Sequence, residues 1–131
     1  MSDPFIHRLF TDVLQKMGMD TTGLTTTQEY PLLVDEQYPV LLRYDGPSER
    51  VLLIAGLDPA LADTPETLPQ RILRAALNPL RGKEPGAGLD EGSGLYFAFL
   101  ALPRQTVTAE NVCREIGRLV EWTKALLAGR H

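Results

Sequence analysis

The stretch Leu73–Leu126, LRAALNPLRGKEPGAGLDEGSGLYFAFLALPRQTVTAENVCREIGRLVEWTKAL, decides the fold. Its first residues finish an apolar helix expected from about Thr67 to Asn78, entered through the prolines of TPETLP and closed where Pro79 restricts the residue before it. Arg81 to Gly94 holds five glycines and Pro85 and reads as a loop with a short strand near Leu89. The aromatic and aliphatic run Leu95 to Leu102 is a strand. Thr108 is a good N-cap for a closing helix, in which Val112, Ile116, Leu119, Val120, Thr123, Leu126 and Leu127 share a face up to Gly129. Trp122 falls just outside that face.

Toward the N-terminus, Ser2 or Asp3 can cap a helix with Pro4 in its first turn, where a missing N–H costs nothing. Phe5, Ile6, Leu9, Phe10, Val13, Leu14 and Met17 then recur at helical spacing, and Gly18 stops the helix. From Thr25 to Leu57 the pattern changes to short apolar runs, Tyr30 to Val34, Tyr38 to Tyr44 and Arg50 to Gly56, separated by turn-forming residues. That is an antiparallel meander. The whole chain 1–131 is therefore expected to be one α+β domain of order α-β-β-β-α-β-β-α, a twisted antiparallel sheet flanked by helices.

Composition narrows the function. The chain has 131 residues, 44% of them hydrophobic, enough for one core without disulfides or metals. Its net charge of −4 advertises no surface for nucleic acid or anionic lipid. The single cysteine, Cys113, fits a reducing compartment. The N-terminus has no secretory-signal pattern and no apolar run approaches the roughly 20 residues that span a bilayer, so a cytoplasmic protein with no membrane insertion is expected.

Candidate chemistry falls away residue by residue. His7 lies on the polar arc of the first helix and His131 ends the chain, so no His pair has metal-ligand spacing. Cys113, on the apolar edge of the last helix, reads as a structural thiol. The loop RGKEPGAGLDEGSG lacks G-x-x-x-x-G-K-[ST], and Pro85 and Glu84 oppose phosphate binding. The adjacent pairs Asp35–Glu36 and Asp90–Glu91 sit at turns, where neighbouring side chains diverge. No catalytic residue, metal or cofactor is expected.

The segment quoted above resembles the second half of type III secretion chaperones of the Tir-chaperone kind, class I. There a helix ending near an asparagine leads to Gly-Leu-Asp, a glycine turn, an apolar strand and a closing helix with a tryptophan. Asn78, Gly88, Leu89, Asp90, Gly94, Leu95, Leu100, Leu102, Thr108 and Trp122 stand in those places, and the N-terminal helix and strands fit the first half. The resemblance implies a five-stranded sheet and a homodimer formed through the middle helix. It further implies a cognate secreted effector as partner, its N-terminal region held soluble for export, with the secretion ATPase as a further partner, in the cytoplasm of a Gram-negative bacterium.

Helix geometry bears on those surfaces independently. At about 100° per residue, the closing helix has an apolar sector of roughly 140°, suited to one-sided packing. The middle helix sweeps roughly 200°, with Gln70, Arg71, Arg74 and Asn78 on its polar side, so that Arg71→Asp is expected to be tolerated. The first helix spreads roughly 180°. Such a surplus fits either helices fully buried in a packed monomer or interfaces; the resemblance implies interfaces, with Leu68, Ile72, Leu73, Ala76 and Leu77 at the dimer contact and Phe5, Leu9, Val13, Leu14 and the strand residue Leu33 at the effector. A non-catalytic adaptor subunit of a larger assembly would use the same apolar helices.

Overall fold

The computed structural model describes residues 3–19, 21, 29–82 and 85–129. Ser2 as a cap, Thr25 as the start of the strand region and His131 lie outside these. Helix α1 spans Pro4–Lys16; the Asp3 carboxylate accepts from the backbone N–H of Phe5 at 3.1 Å and of Ile6 at 3.4 Å. Those bonds satisfy donors that a helix start leaves free. Strands β1 (Glu29–Val34), β2 (Tyr38–Asp45) and β3 (Arg50–Leu57) form the meander. Helix α2 (Leu68–Ala75) and a single turn, α3 (Asn78–Arg81), precede the hairpin of β4 (Gly86–Asp90) and β5 (Leu95–Pro103). Helix α4 (Ala109–Leu127) closes the chain, with Thr108 and Asn111 making reciprocal side-chain bonds to each other's backbone N–H.

The sheet has five strands in the order β1-β2-β3-β5-β4, every neighbouring pair antiparallel. Alternation along β3 sends Val51, Leu53, Ala55 and Leu57 into the core, and the register aligns them with Tyr44, Leu42 and Val40 on β2 and with Ala98 on β5. That face meets the apolar sides of α1, α2 and α4 in one core, where Phe10 stands edge-on to Tyr30 with ring centroids 5.5 Å apart. The Lys124 ammonium on α4 reaches Asp35 at 3.0 Å and lies 5.3 Å from the Tyr38 ring, tying the β1–β2 turn to the last helix.

Two expectations are corrected and one open position is decided. The middle helix does not run unbroken to Asn78: at Ala76 the backbone N–H bonds to Leu73, one turn tightened, and the helix ends. A continuous helix would need an N–H from Pro79 to the Ala75 carbonyl, which proline lacks and its ring obstructs. Pro79 instead opens α3, which Gly82 caps in the left-handed region at φ 69°. Trp122, whose place just outside the apolar face left its role open, is buried against the core. Arg71 is buried as well, its guanidinium donating to the Leu126 carbonyl, to the Thr64 carbonyl at 2.8 Å and to the Thr64 and Thr67 hydroxyls, both at 3.1 Å. An aspartate there could make none of these bonds.

Candidate functional site

The residues that alternate away from the core form a second sheet face. Leu41 on β2 stands opposite Ile54 on β3, Ile54 opposite Phe99 on β5, and Phe99 opposite Gly86 on β4, a row across four strands. A neighbouring row sets Arg43, Leu52 and Ala101 side by side. A third carries Leu33, Pro39 and, on β5, Phe97. Among the described helices, α4 reaches the groove on this face through Arg118, and α3 bounds the face at its β4 edge. There the chain leaving α2 turns under the sheet, Pro79 and Gly82 becoming one wall of the groove, about 850 Å³ in volume. The side-chain amide of Asn78 donates to the Pro85 carbonyl at 3.0 Å and pins that return.

Gly86 makes the wall possible. A β-carbon at this position would lie 2.6 Å from both Phe99 Cζ and Pro79 Cγ, closer than such atoms approach, so only glycine lets α3 and the Phe99 ring meet across β4. The floor stays apolar and open: Leu33 is 57% and Phe99 38% exposed, with Leu41, Leu52, Ile54 and Phe97 half-buried. Contiguous apolar surface of this kind marks a protein-binding site.

The second apolar surface is a ridge along α2 and α3. Leu73, Leu77 and Leu80 are 72%, 52% and 85% exposed, and Ala76 lies exposed between them. Short hydrophobic side chains in a row on a helix edge, with no described element over them, suit a flat apolar partner.

Charge is concentrated at the ends of the groove. Arg43 and Arg50 line its β2–β3 end; Arg43 Nε is 3.5 Å from the Glu29 carboxylate, and Arg50 Nε donates to the Ser48 hydroxyl at 3.0 Å. Asp90 lies toward the other end, its carboxyl held below the ordinary range by the Ser93 hydroxyl at 2.6 Å and the Ser93 N–H at 3.1 Å. Arg118, also on the lining, pairs with Glu115 at 2.8 Å. Nothing here assembles a nucleophile and base. Cys113 has its thiol pushed up by burial, away from the reactive thiolate, and His7 Nδ1 lies 3.3 Å from the Tyr30 hydroxyl. Among the described residues no group of three His, Cys, Asp or Glu side chains could hold a metal ion, and no helix is long and apolar enough to cross a membrane.

Comparison with known proteins fits this geometry. No family model and no curated protein sequence matches the chain. Among solved structures, it is 34% identical to a chain in the structure of the HopA1-SchA chaperone-effector complex, with a TM-score of 0.75 over 91% of this chain and 90% of that one. The chain belongs to the type III secretion chaperones. Its fold is also that of a chain in the ExsC-ExsE complex, at 22% identity and a TM-score of 0.71 over 97% of each chain. It is shared too by the Yersinia pestis type III secretion chaperone SycH in complex with a stable fragment of YscM2, at 16% identity and a TM-score of 0.68 over 92% of this chain and 98% of that one.

The surfaces of this chaperone only partly coincide with those expected from its helices. Leu9, Val13 and Leu14, expected at the effector, are 5%, 0% and 4% exposed, because the apolar side of α1 is spent on α4 and the sheet. Leu68 and Ile72, expected at the dimer contact, are 0% and 3% exposed, for the same reason beneath α2. These five are core residues of the chain. Phe5 and Leu33 remain exposed, as do Leu73, Ala76 and Leu77. Phe5 lies under the Arg104 guanidinium, 4.8 Å from the ring centroid, on the far side of the molecule's α1 cap. The groove floor of Leu41, Leu52, Ile54, Phe97 and Phe99 was not singled out from the sequence. Its signal was present: β3 and β5 are apolar at consecutive positions, so both faces of the sheet are hydrophobic although helices cover one.

Proposed function

We propose that this chaperone, a class I member of the Tir-chaperone kind, binds the N-terminal region of one secreted effector and keeps it soluble and export-competent. The observation that carries this reading is the open apolar sheet face, too large and continuous to be left to water in a protein whose other sheet face already supplies a full core. An unfolded segment laid across Leu41, Ile54 and Phe99 would bury its own apolar side chains without folding, and holding it needs binding energy alone. The same face and the SchA-containing chaperone-effector complex at 34% identity support the same conclusion from separate directions.

The protein acts in the cytoplasm, without catalysis, as a homodimer that delivers its client to the export apparatus and its ATPase. The dimer is supported by the Leu73, Leu77 and Leu80 ridge, a second apolar surface away from the groove floor. The test is co-expression with neighbouring open reading frames, followed by purification through a tag on the chaperone. One partner should be solubilised by the wild type and lost with Ile54→Asp, while circular dichroism shows both chaperones folded. Equal recovery with folded Ile54→Asp overturns the sheet-face site.

A further inference from the structure

The groove is amphipathic along its length, and that asymmetry specifies the client. Its apolar floor centres on the row Leu41, Ile54 and Phe99, whereas Arg43 and Arg50 crowd the β2–β3 end. Four residues separate Ile54 from Arg50 on one strand, roughly 13 Å at about 3.3 Å per residue. Neither arginine is held in a tight or buried ion pair. Among the described residues Arg43 pairs with the carboxylate of Glu29 at 3.5 Å, and both side chains are about half exposed, 50% and 54%. Arg50 has no direct carboxylate partner among the described residues; Asp45, its cross-strand neighbour, reaches it only through the Ser48 hydroxyl, to which Arg50 donates at 3.0 Å and which donates to Asp45. Two cations at one end of the floor stand out in a chain whose net charge is −4. At long range this chain repels an acidic partner, so attraction at this end is a property of the groove.

Resting on the sheet-face reading, we propose that the bound segment is acidic as well as apolar: running along β3, it sets hydrophobic residues over Ile54 and Leu52, between Leu41 and Phe99, and a carboxylate about four positions beyond Ile54, facing Arg43 and Arg50. Charges at a solvated rim set register and partner choice more than total affinity, and their effect declines with salt. The arginines would therefore fix which way the segment lies and reject clients with lysines at that end, while the floor supplies most of the binding.

The probes are two short fluorescein-labelled peptides with the same leucines and phenylalanines, one carrying glutamates and one lysines at the flanking positions, titrated against the full chain by anisotropy. The glutamate peptide is expected to bind about tenfold tighter at low ionic strength and to lose that advantage at high salt. The double variant Arg43→Glu, Arg50→Glu should reverse the preference. Ile54→Asp, or Phe99→Ser if the former does not fold, should weaken both peptides alike. Equal affinities, both reduced by the floor variant, overturn the acidic-client proposal and leave the sheet face standing. A preference that survives the arginine reversal also overturns it, because the charge is then read elsewhere. Binding indifferent to a folded floor variant, or no binding of either peptide, overturns the sheet-face reading and this proposal together.

Discussion

Arg71 shows how a single side chain can invert its expected role. A residue 7% exposed carries a full charge into the interior, and among the described residues it meets carbonyl and hydroxyl oxygens with no carboxylate. The Leu126 carbonyl it holds belongs to the last turn of α4, where unpaired carbonyls concentrate partial negative charge, so the cation is stabilised by a helix end. Arg71→Ala should cost about 2 kcal/mol, read as a lower urea midpoint, because it removes a charge-assisted bond to the buried Leu126 carbonyl and the packing of a buried side chain, while Leu126 keeps the Gly129 N–H. Arg71→Lys should recover only part, lacking the planar fork. At Gly86 the constraint is space. Gly86→Ala must push away both Phe99 and Pro79 and should lower stability by about 1–3 kcal/mol, with the loss of client binding in co-purification reporting that the groove wall has moved. Neither effect was legible in the sequence: a helical wheel places Arg71 by angle and knows nothing of the α4 terminus beside it, and Gly86 looked like one loop glycine among five.

Helix and strand boundaries were legible wherever local chemistry sets them. Asp3, one of the two candidate caps, and Thr108 cap their helices, and the three meander strands lie within a residue of their sequence-based limits. The break between α2 and α3 was half legible. Pro79 was read as a terminator, but tertiary contact with Phe99 and β4 lets it begin a further turn. At the start of α1 a tertiary partner also reinforces a local cap. The Arg104 guanidinium, at the end of β5, contacts the Asp3 carboxylate and lies 4.8 Å from the Phe5 ring, and it is chiefly this bond that lowers the Asp3 pKa from its ordinary 3.8. A carboxyl with a lowered folded value stabilises the native state above its unfolded pKa, and that contribution disappears as pH falls through the lower folded value. Wild type should therefore melt higher than Asp3→Leu at neutral pH, with the gap in Tm shrinking only below about pH 4. A gap unchanged down to about pH 2 would mean the carboxylate charge contributes nothing.

At the scale of the molecule, apolar surface is distributed among three places: the core between the sheet and α1, α2 and α4, the open sheet face, and the leucine ridge of α2 and α3. Sequence periodicity found the excess but misassigned part of it. It credited the surplus to α1 and α2 because a helix arc wider than one stripe is conspicuous, whereas strands apolar on both faces read simply as buried strands. The ridge is the part of the helix surplus that survives. Leu73 and Leu77, one turn apart, point away from the core that Leu68, Ile72 and Ala75 enter, and Leu80 extends their line past the break. A twofold axis across this line would set each ridge against its mate, an isologous contact, with each leucine withdrawn from water adding about 2 kcal/mol. Light scattering after gel filtration should give twice the 14.5 kDa chain mass at micromolar concentration. Leu73→Asp with Leu77→Asp should give a folded monomer with an unchanged circular dichroism spectrum, since neither side chain enters the core. If the wild type is already monomeric, or if the double variant still dimerises, the ridge is not the interface. Retention of client by the monomeric variant would then separate the two surfaces, showing that one protomer's sheet face suffices to hold an unfolded segment.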